Sequence, residues 1–395
     1  MSILVIRPSH PSSHFAYFTG GYCEPILTGD MKSLRSFESN ESETAEELRR
    51  IRSLCRRWWA TSPRDALAVR LTFTASEFSK PVVVCPDVLR QLQTLVPRAP
   101  LHLPPKLRLI EHCREAFPKV PIVVVSETSF FSDLPSRERY YGLHADITKD
   151  LQLERYGFHG IFHESACYRA RHQLGREGVP RILSICLLPR PEIAAVMGTR
   201  PVMVTGGVTP LEGIPGETTC GELDAGIVLS LRKEMGWGPE QINTVLTRES
   251  GLLGVVGKTA TLDTIFRSND PEVRLAREMI QYRILLACGA GIAAMGGVDA
   301  IVFSGDYVDV GEILGPWLSS KLVLKGERGQ VVPWMCFRES LDRLIADSAE
   351  LTVGSMREFR TSPTARSRAD VPAYLCAQAA NVSPETGRIY DGSIS

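Results

Sequence analysis

The stretch Arg155-Tyr156-Gly157-Phe158-His159-Gly160-Ile161-Phe162-His163 constrains this chain more than any other. Glycines bracket the Phe158-His159 pair and free the backbone to turn sharply and lie close against a neighbour. His159 and His163 are four residues apart, a spacing that stacks them on one face of a helix. Two readings fit these residues. One is a buried strand-to-helix turn whose histidines are satisfied within the core; the other is a site in which His159 donates a hydrogen bond to a phosphoryl oxygen at neutral pH.

Apolar runs of strand length lie on both sides of this turn. Residues 3–6, 66–69 (ending at Arg70), the centre of 117–131, 181–188 and 300–304 read as buried strands. Residues 45–59 read as an amphipathic helix. Residues 274–295 read as a long one, whose small residues, Gly289 and Gly291 among them, suit close helix packing. Strands alternating with helices in both halves predict an α/β fold, and 395 residues exceed one ordinary core, so two domains are expected.

Charge and cysteine usage narrow the function. Forty-five basic residues balance 45 acidic ones, so nothing calls for a nucleic-acid partner or an anionic membrane. Ten cysteines are scattered without a CxxC pair or a zinc-type cluster, and no signal peptide or long apolar span is present; reduced thiols in a cytoplasmic protein are expected. Three local patterns are set aside. Gly257-Lys258-Thr259 ends like a P-loop, but the required first glycine falls on Leu252. Gly289-Ala290-Gly291 neither follows a strand nor has dinucleotide-loop spacing, and Trp58-Trp59 beside Arg56-Arg57 reads as packing with snorkelling arginines.

The Arg155–His163 turn closely resembles the signature of the acetate kinase (acetokinase) family. Other stretches resemble family motifs in the same order: Pro100-Leu101-His102-Leu103-Pro104, Thr209-Pro210-Leu211-Glu212-Gly213, and the helix-to-strand passage 294–303. The resemblance implies two domains of the acetate and sugar kinase, hsc70 and actin (ribonuclease H-like) architecture with a cleft between them, here 1–150 and 151–359, followed by a loose tail over 360–395. It also implies a homodimer formed through the second domain. Carried over residue by residue, it gives Arg70 the carboxylate or phosphoryl group, Glu127 the place of a catalytic Asp, and His159 the phosphoryl oxygens. Leu101, His102, Phe158, Pro210 and Thr72, the last where a Val is expected, become the wall of a small acyl pocket.

Several nucleotide and metal motifs of that family are replaced. The first phosphate turn becomes Arg7-Pro8-Ser9-His10-Pro11-Ser12-Ser13, with prolines that lack N–H donors and a guanidinium that cannot ligate magnesium. A second phosphate-cradling turn becomes Cys186-Leu187-Leu188-Pro189-Arg190, Thr219 stands where a second catalytic Arg belongs, and Gly305-Asp306-Tyr307-Val308-Asp309-Val310 replaces the adenine-side loop. Asp342, or failing it Glu339, is the nearest match to the late metal-binding Glu. The expectation is a family member with a degraded nucleotide and metal site, weak or inactive as an enzyme, serving as a binding or regulatory partner, perhaps of an active paralogue. The alternatives are a divergent carboxylate kinase that uses magnesium and ATP with Arg70, Glu127 and His159, and a short-chain carboxylate sensor.

Overall fold

The computed structural model describes residues 1–8, 13–19, 24–31, 46, 48–53, 65–99, 103–175, 178–322 and 331–361. Two mixed sheets organise them. The first is ordered β3-β2-β1-β4-β6-β5, from β1 (Ser2–Arg7), β2 (Ser13–Thr19), β3 (Leu27–Met31), β4 (Ala66–Leu71), β5 (Val82–Val83) and β6 (Ile122–Ser126). The second is ordered β11-β10-β7-β8-β9, from β7 (Arg181–Cys186), β8 (Glu192–Met197), β9 (Arg200–Val204), β10 (Ala300–Ser304) and β11 (Trp334–Cys336). Both follow one plan. An antiparallel run, β1-β2-β3 or β7-β8-β9, is extended by parallel strands from its first member, β4 and β6 or β10 and β11.

The strands read from apolar runs are the parallel ones. β1, β4, β6 and β10 are apolar on both faces, and all but the end residue of β1 and Arg70 of β4 are buried, because helices cover the sheet on each side. Helix α1 (Leu103–Ala116) packs on β4 and β6, and α2 (Gly160–Leu174) on β7 and β10. The long α3 (Arg274–Met295) covers β7, β8 and β9. In α3, a Cβ on Gly291 would meet Leu183 Cδ1 at 3.0 Å and Ala195 Cβ at 3.2 Å, so the expected close approach to the sheet is made at that glycine.

The last helix, α4 (Leu341–Thr361), returns to the first sheet. It lies on β1, β4 and β6 and also touches α2. Ile345, Ala349 and Val353 share one apolar cluster with Val5, Ala68 and Val123 of the first sheet and with Ile161 and Phe162 of α2. The two sheets are joined through this layer, which fixes the strand ends that face each other across the site.

The set-aside motifs have ordinary roles. Residues Gly251–Val256 form a short helix capped by Gly257 at φ +76°, and the Lys258 ammonium meets Glu272 at 2.5 Å. Trp58 and Trp59, Leu101 and His102, and residues 362–395 of the expected tail lie outside the described residues.

Candidate ligand site at the strand ends

Parallel pairing of β4 with β6 sets Arg70 opposite Val125 and Leu71 opposite Ser126, so the residue after β6, Glu127, stands beside Arg70. The Glu127 N–H donates to the Leu71 carbonyl at 3.0 Å, and Arg70 Nε donates to Glu127 Oε1 at 2.6 Å. The Glu127 side chain is 1% exposed and Arg70 16%, so this is a nearly buried charge pair with one side open. Beneath it, Thr74 Oγ1 donates to Ser126 Oγ at 2.7 Å, and Thr128 Oγ1 donates to the Ala75 carbonyl, stitching the two strand exits together.

The Arg155–His163 turn presses onto this corner. A Cβ on Gly160 would sit 2.2 Å from the Glu127 carbonyl oxygen, and one on Gly157 (φ +67°) would sit 2.4 Å from Phe131. Only glycine permits either approach. The Gly160 N–H donates to that carbonyl at 3.0 Å, which starts α2 against the end of β6. The two readings of the turn meet here, since it is a tight turn into a helix and it also carries His159 to the Arg70–Glu127 pair.

Glu192, the first residue of β8, supports the turn from below. Its carboxylate accepts from the Phe158 N–H at 3.0 Å and the His159 N–H at 2.9 Å, and lies 3.6 Å from His163 Nε2. Burial alone would raise this carboxyl, but the nearby His163 and His159 rings and the Arg190 guanidinium outweigh it and hold Glu192 at about 2. His163 Nδ1 meets Ser184 Oγ at 2.8 Å inside the core. The second histidine is therefore structural.

Arg190 is the residue that the sequence reading missed. It stands in the turn read only as a lost phosphate cradle, yet its side chain enters the site. Nη2 donates to His159 Nε2 at 3.2 Å, Nη1 donates to the Pro210 carbonyl, and the guanidinium lies 5.5 Å from the centre of the buried Phe158 ring. With Nε2 accepting, His159 carries its proton on Nδ1, which is buried without a partner. Burial lowers His159 to about 3, with Arg190 and Arg70 adding and Glu192 opposing, so the imidazole is neutral at physiological pH.

Lys106 is a second addition. It projects from α1, and its Nζ donates to Thr72 Oγ1. Burial, then the charge of Arg70, lower its ammonium to about 7, with Glu127 opposing. A signal was present: in the helix beginning at Leu103, Lys106 falls on the stripe of Leu103, Leu107 and Ile110, all buried.

The segment 209–213 is clamped to the turn. Arg155 Nη2 meets Glu212 Oε1 at 2.7 Å, Tyr141 Oη donates to Glu212, and the Tyr156 N–H donates to the Gly207 carbonyl at 3.0 Å. Pro210 is exposed, and its carbonyl accepts from Arg190, which in turn lies over the Phe158 ring.

Asp342 and Glu339 behave differently from metal ligands. Arg7 grips Asp342 in two-pronged fashion, Nε to Oδ1 at 2.5 Å and Nη2 to Oδ2 at 3.1 Å, and His14 Nε2 stands 3.6 Å from Oδ2. Glu339 is turned to Ser165 and Arg169 on α2. Among the described residues no group of His, Cys, Asp or Glu is arranged to hold a metal ion. Asp342, the nearest match to the family's metal-binding Glu, is thus already paired with a guanidinium. The exits of β7 and β10 are likewise closed on each other. Leu187 N–H donates to the Ser304 carbonyl at 2.7 Å, Tyr307 N–H to Leu187 at 2.9 Å and Val308 N–H to Gly305 at 3.1 Å, leaving those donors unavailable to a phosphate.

Comparison with known proteins identifies the family and the fold. Residues 60–313 match the acetokinase family. The acetate kinases of Syntrophobacter fumaroxidans (strain DSM 10017 / MPOB) and Corynebacterium jeikeium (strain K411) are each 35% identical over 239 residues, 60% of this chain and 58% and 59% of theirs. The matched part therefore spans less than two thirds of the length of those curated relatives. Acetate kinase from Porphyromonas gingivalis superposes with a TM-score of 0.75 at 23% identity, covering 89% of this chain and 99% of its own. A propionate kinase from Francisella tularensis subsp. tularensis SCHU S4 gives 0.74 at 20%, covering 88% and 98%. These superpositions establish the fold, that of acetate and propionate kinases. With its family match extending over more than half its length, this chain belongs to the acetokinase family.

Proposed function

We propose that this protein holds a small carboxylate at Arg70 and transfers no phosphoryl group, acting as a binding or regulatory member of its family. The observation that carries this reading is the two-pronged Arg7–Asp342 pair, which sets a fixed cation on the carboxylate nearest to the family's metal ligand. The backbone donors spent between Leu187 and Tyr307 support it from the nucleotide side. Arg70, whose side chain is 16% exposed beside Glu127, supports the carboxylate part, since a guanidinium binds a planar carboxylate with two parallel hydrogen bonds.

Thermal unfolding tests both halves of the reading. Acetate or propionate is expected to raise the midpoint in the wild type and not in Arg70→Ala, while MgATP leaves it unchanged. A shift with MgATP would overturn the proposal. A divergent carboxylate kinase is the competing reading, and Arg190 is what favours it, because it brings a new cation to His159 where Thr219 no longer supplies one.

A homodimer fits this reading as well. Leu275, Met279, Tyr282 and Leu286 repeat at helical spacing along α3 and are all exposed, an apolar stripe suited to a second copy. None of the described helices is long and apolar enough to cross a membrane.

A further inference from the structure

We propose that the cavity between the loop 215–220 and α3 is a second ligand site, for a small uncharged apolar molecule. It stands apart from the carboxylate reading at Arg70 and does not depend on it.

The cavity holds about 280 Å³ and is lined chiefly by Pro215, Cys220, Leu252, Val255, Met279 and Ile280. Leu252 and Ile280 are each 1% exposed and form its floor, while Val255 (37%) and Met279 (40%) stand at its mouth. The polar groups around it are spent elsewhere. Ser250 Oγ donates to the Val245 carbonyl at 2.7 Å, and the Cys220 thiol to the Gly221 carbonyl at 3.2 Å. Glu249, the one charged residue in the lining, is exposed. A buried water needs two to four polar partners, which these walls do not offer. An apolar molecule needs none, and it buries its own surface by entering.

The space stays open because its walls are pinned from behind. The Gly216 carbonyl accepts from the Leu252 N–H at 2.9 Å, the Glu217 carbonyl from the Leu253 N–H at 2.9 Å, and the Leu246 carbonyl from the Cys220 N–H at 2.9 Å. A Cβ on Gly251 (φ +62°) would sit 2.1 Å from the Gly216 carbonyl oxygen, so only glycine lets these two segments lie together. The loop and the short helix Gly251–Val256 thus make one bonded wall facing α3, and a preformed space binds without a cost of reorganisation. The other side of that loop backs the Arg190 turn: the Glu217 N–H donates to the Pro189 carbonyl at 2.7 Å, and a Cβ on Gly216 would lie 3.1 Å from Arg190 Cβ.

Size and chemistry select the ligand. An apolar cavity of about 150 Å³ accepts benzene, so this one suits a substituted single ring or a chain of about six to eight carbons. No Lys, Arg or His lines it, so the acids expected at Arg70 find no cation here.

Cys220 is a reporter within the cavity. Iodoacetamide labelling of the full chain, read at Cys220 by peptide mass spectrometry, is run with toluene, with cyclohexanol, and with inositol, which has the same ring carrying a hydroxyl on every carbon. Toluene and cyclohexanol are expected to slow labelling by about fivefold or more at saturation, and inositol to leave it unchanged. Calorimetric titration with cyclohexanol should then show a loss of at least about tenfold in affinity in Ala276→Leu, which fills the cavity, and in Val255→Trp, which covers its mouth. Val255 is exposed, so the second variant is expected to fold even where the first does not. Labelling unchanged by toluene and cyclohexanol, protection by inositol equal to that by cyclohexanol, or an affinity unaltered in the variants would each overturn the proposal and leave carboxylate binding at Arg70 standing. Met279 also belongs to the exposed stripe of α3. Protection seen only in Tyr282→Asp with Leu286→Asp would therefore overturn the proposal too, by showing that a second copy fills the cavity.

Discussion

At the scale of single residues, two carboxylates of the site, Asp342 and Glu127, are each held by an arginine of the same chain. Arg7 and Asp342 are 29% and 12% exposed, so a double-mutant cycle with Arg7→Ala and Asp342→Ala should return a coupling of about 1–2 kcal/mol, above that of an exposed pair. A coupling near zero in urea unfolding would show that the pair does not hold the metal position closed. His159 gives a second test. Unfolded, it titrates near 6.5; folded, at about 3, so between those values the unfolded chain binds the extra proton and stability falls as pH drops from 6.5 toward 3. Glu192, held at about 2 against an ordinary 4.5, acts in the same direction, stabilising above 4.5 and losing that contribution as pH falls through 2. Stability measured from pH 7 to 4 should therefore fall less steeply in His159→Asn than in the wild type; identical slopes would contradict the buried neutral imidazole. Of these residues, Arg70, Glu127 and His159 were legible because each matches a motif position. Lys106 and Arg190 were not, although Lys106 lies on an apolar helical stripe, because a motif reading registers what a turn has lost and overlooks what a new side chain can reach.

At the scale of elements, the corner between β6 and α2 carries the geometry. Gly160→Ala would set a methyl against the Glu127 carbonyl oxygen, and the helix start and that carbonyl cannot both stay in place. The expected loss is about 3 kcal/mol, read by denaturant unfolding, whereas Gly142→Ala, with no heavy atom within 4 Å of the added Cβ, should change stability by less than about 0.5 kcal/mol. Similar values for the two would remove the close approach from the account. The parallel strands were readable as apolar runs because both of their faces are covered. The hairpin strands β2, β3, β8 and β9 were not read, since runs such as Ser13–Thr19 break the apolar pattern with polar residues. Nor does local pattern show that α4 crosses back to the first sheet, because which sheet an amphipathic helix covers is a property of the assembled chain.

At the scale of the whole molecule, the apolar stripe on α3 and the proposed loss of nucleotide binding make separate demands. Tyr282→Asp with Leu286→Asp on the exposed stripe should convert a dimer to a monomer in light scattering, without altering carboxylate binding at the far strand ends. An unchanged molar mass would move the interface elsewhere. The central claim, binding without phosphoryl transfer, is tested most directly by acyl phosphate formation with MgATP and acetate, propionate or succinate, run beside Arg70→Ala and His159→Ala. The account predicts no product above either variant. Product that appears in the wild type and disappears in both variants would contradict it and make Arg190 part of a working phosphoryl-transfer site.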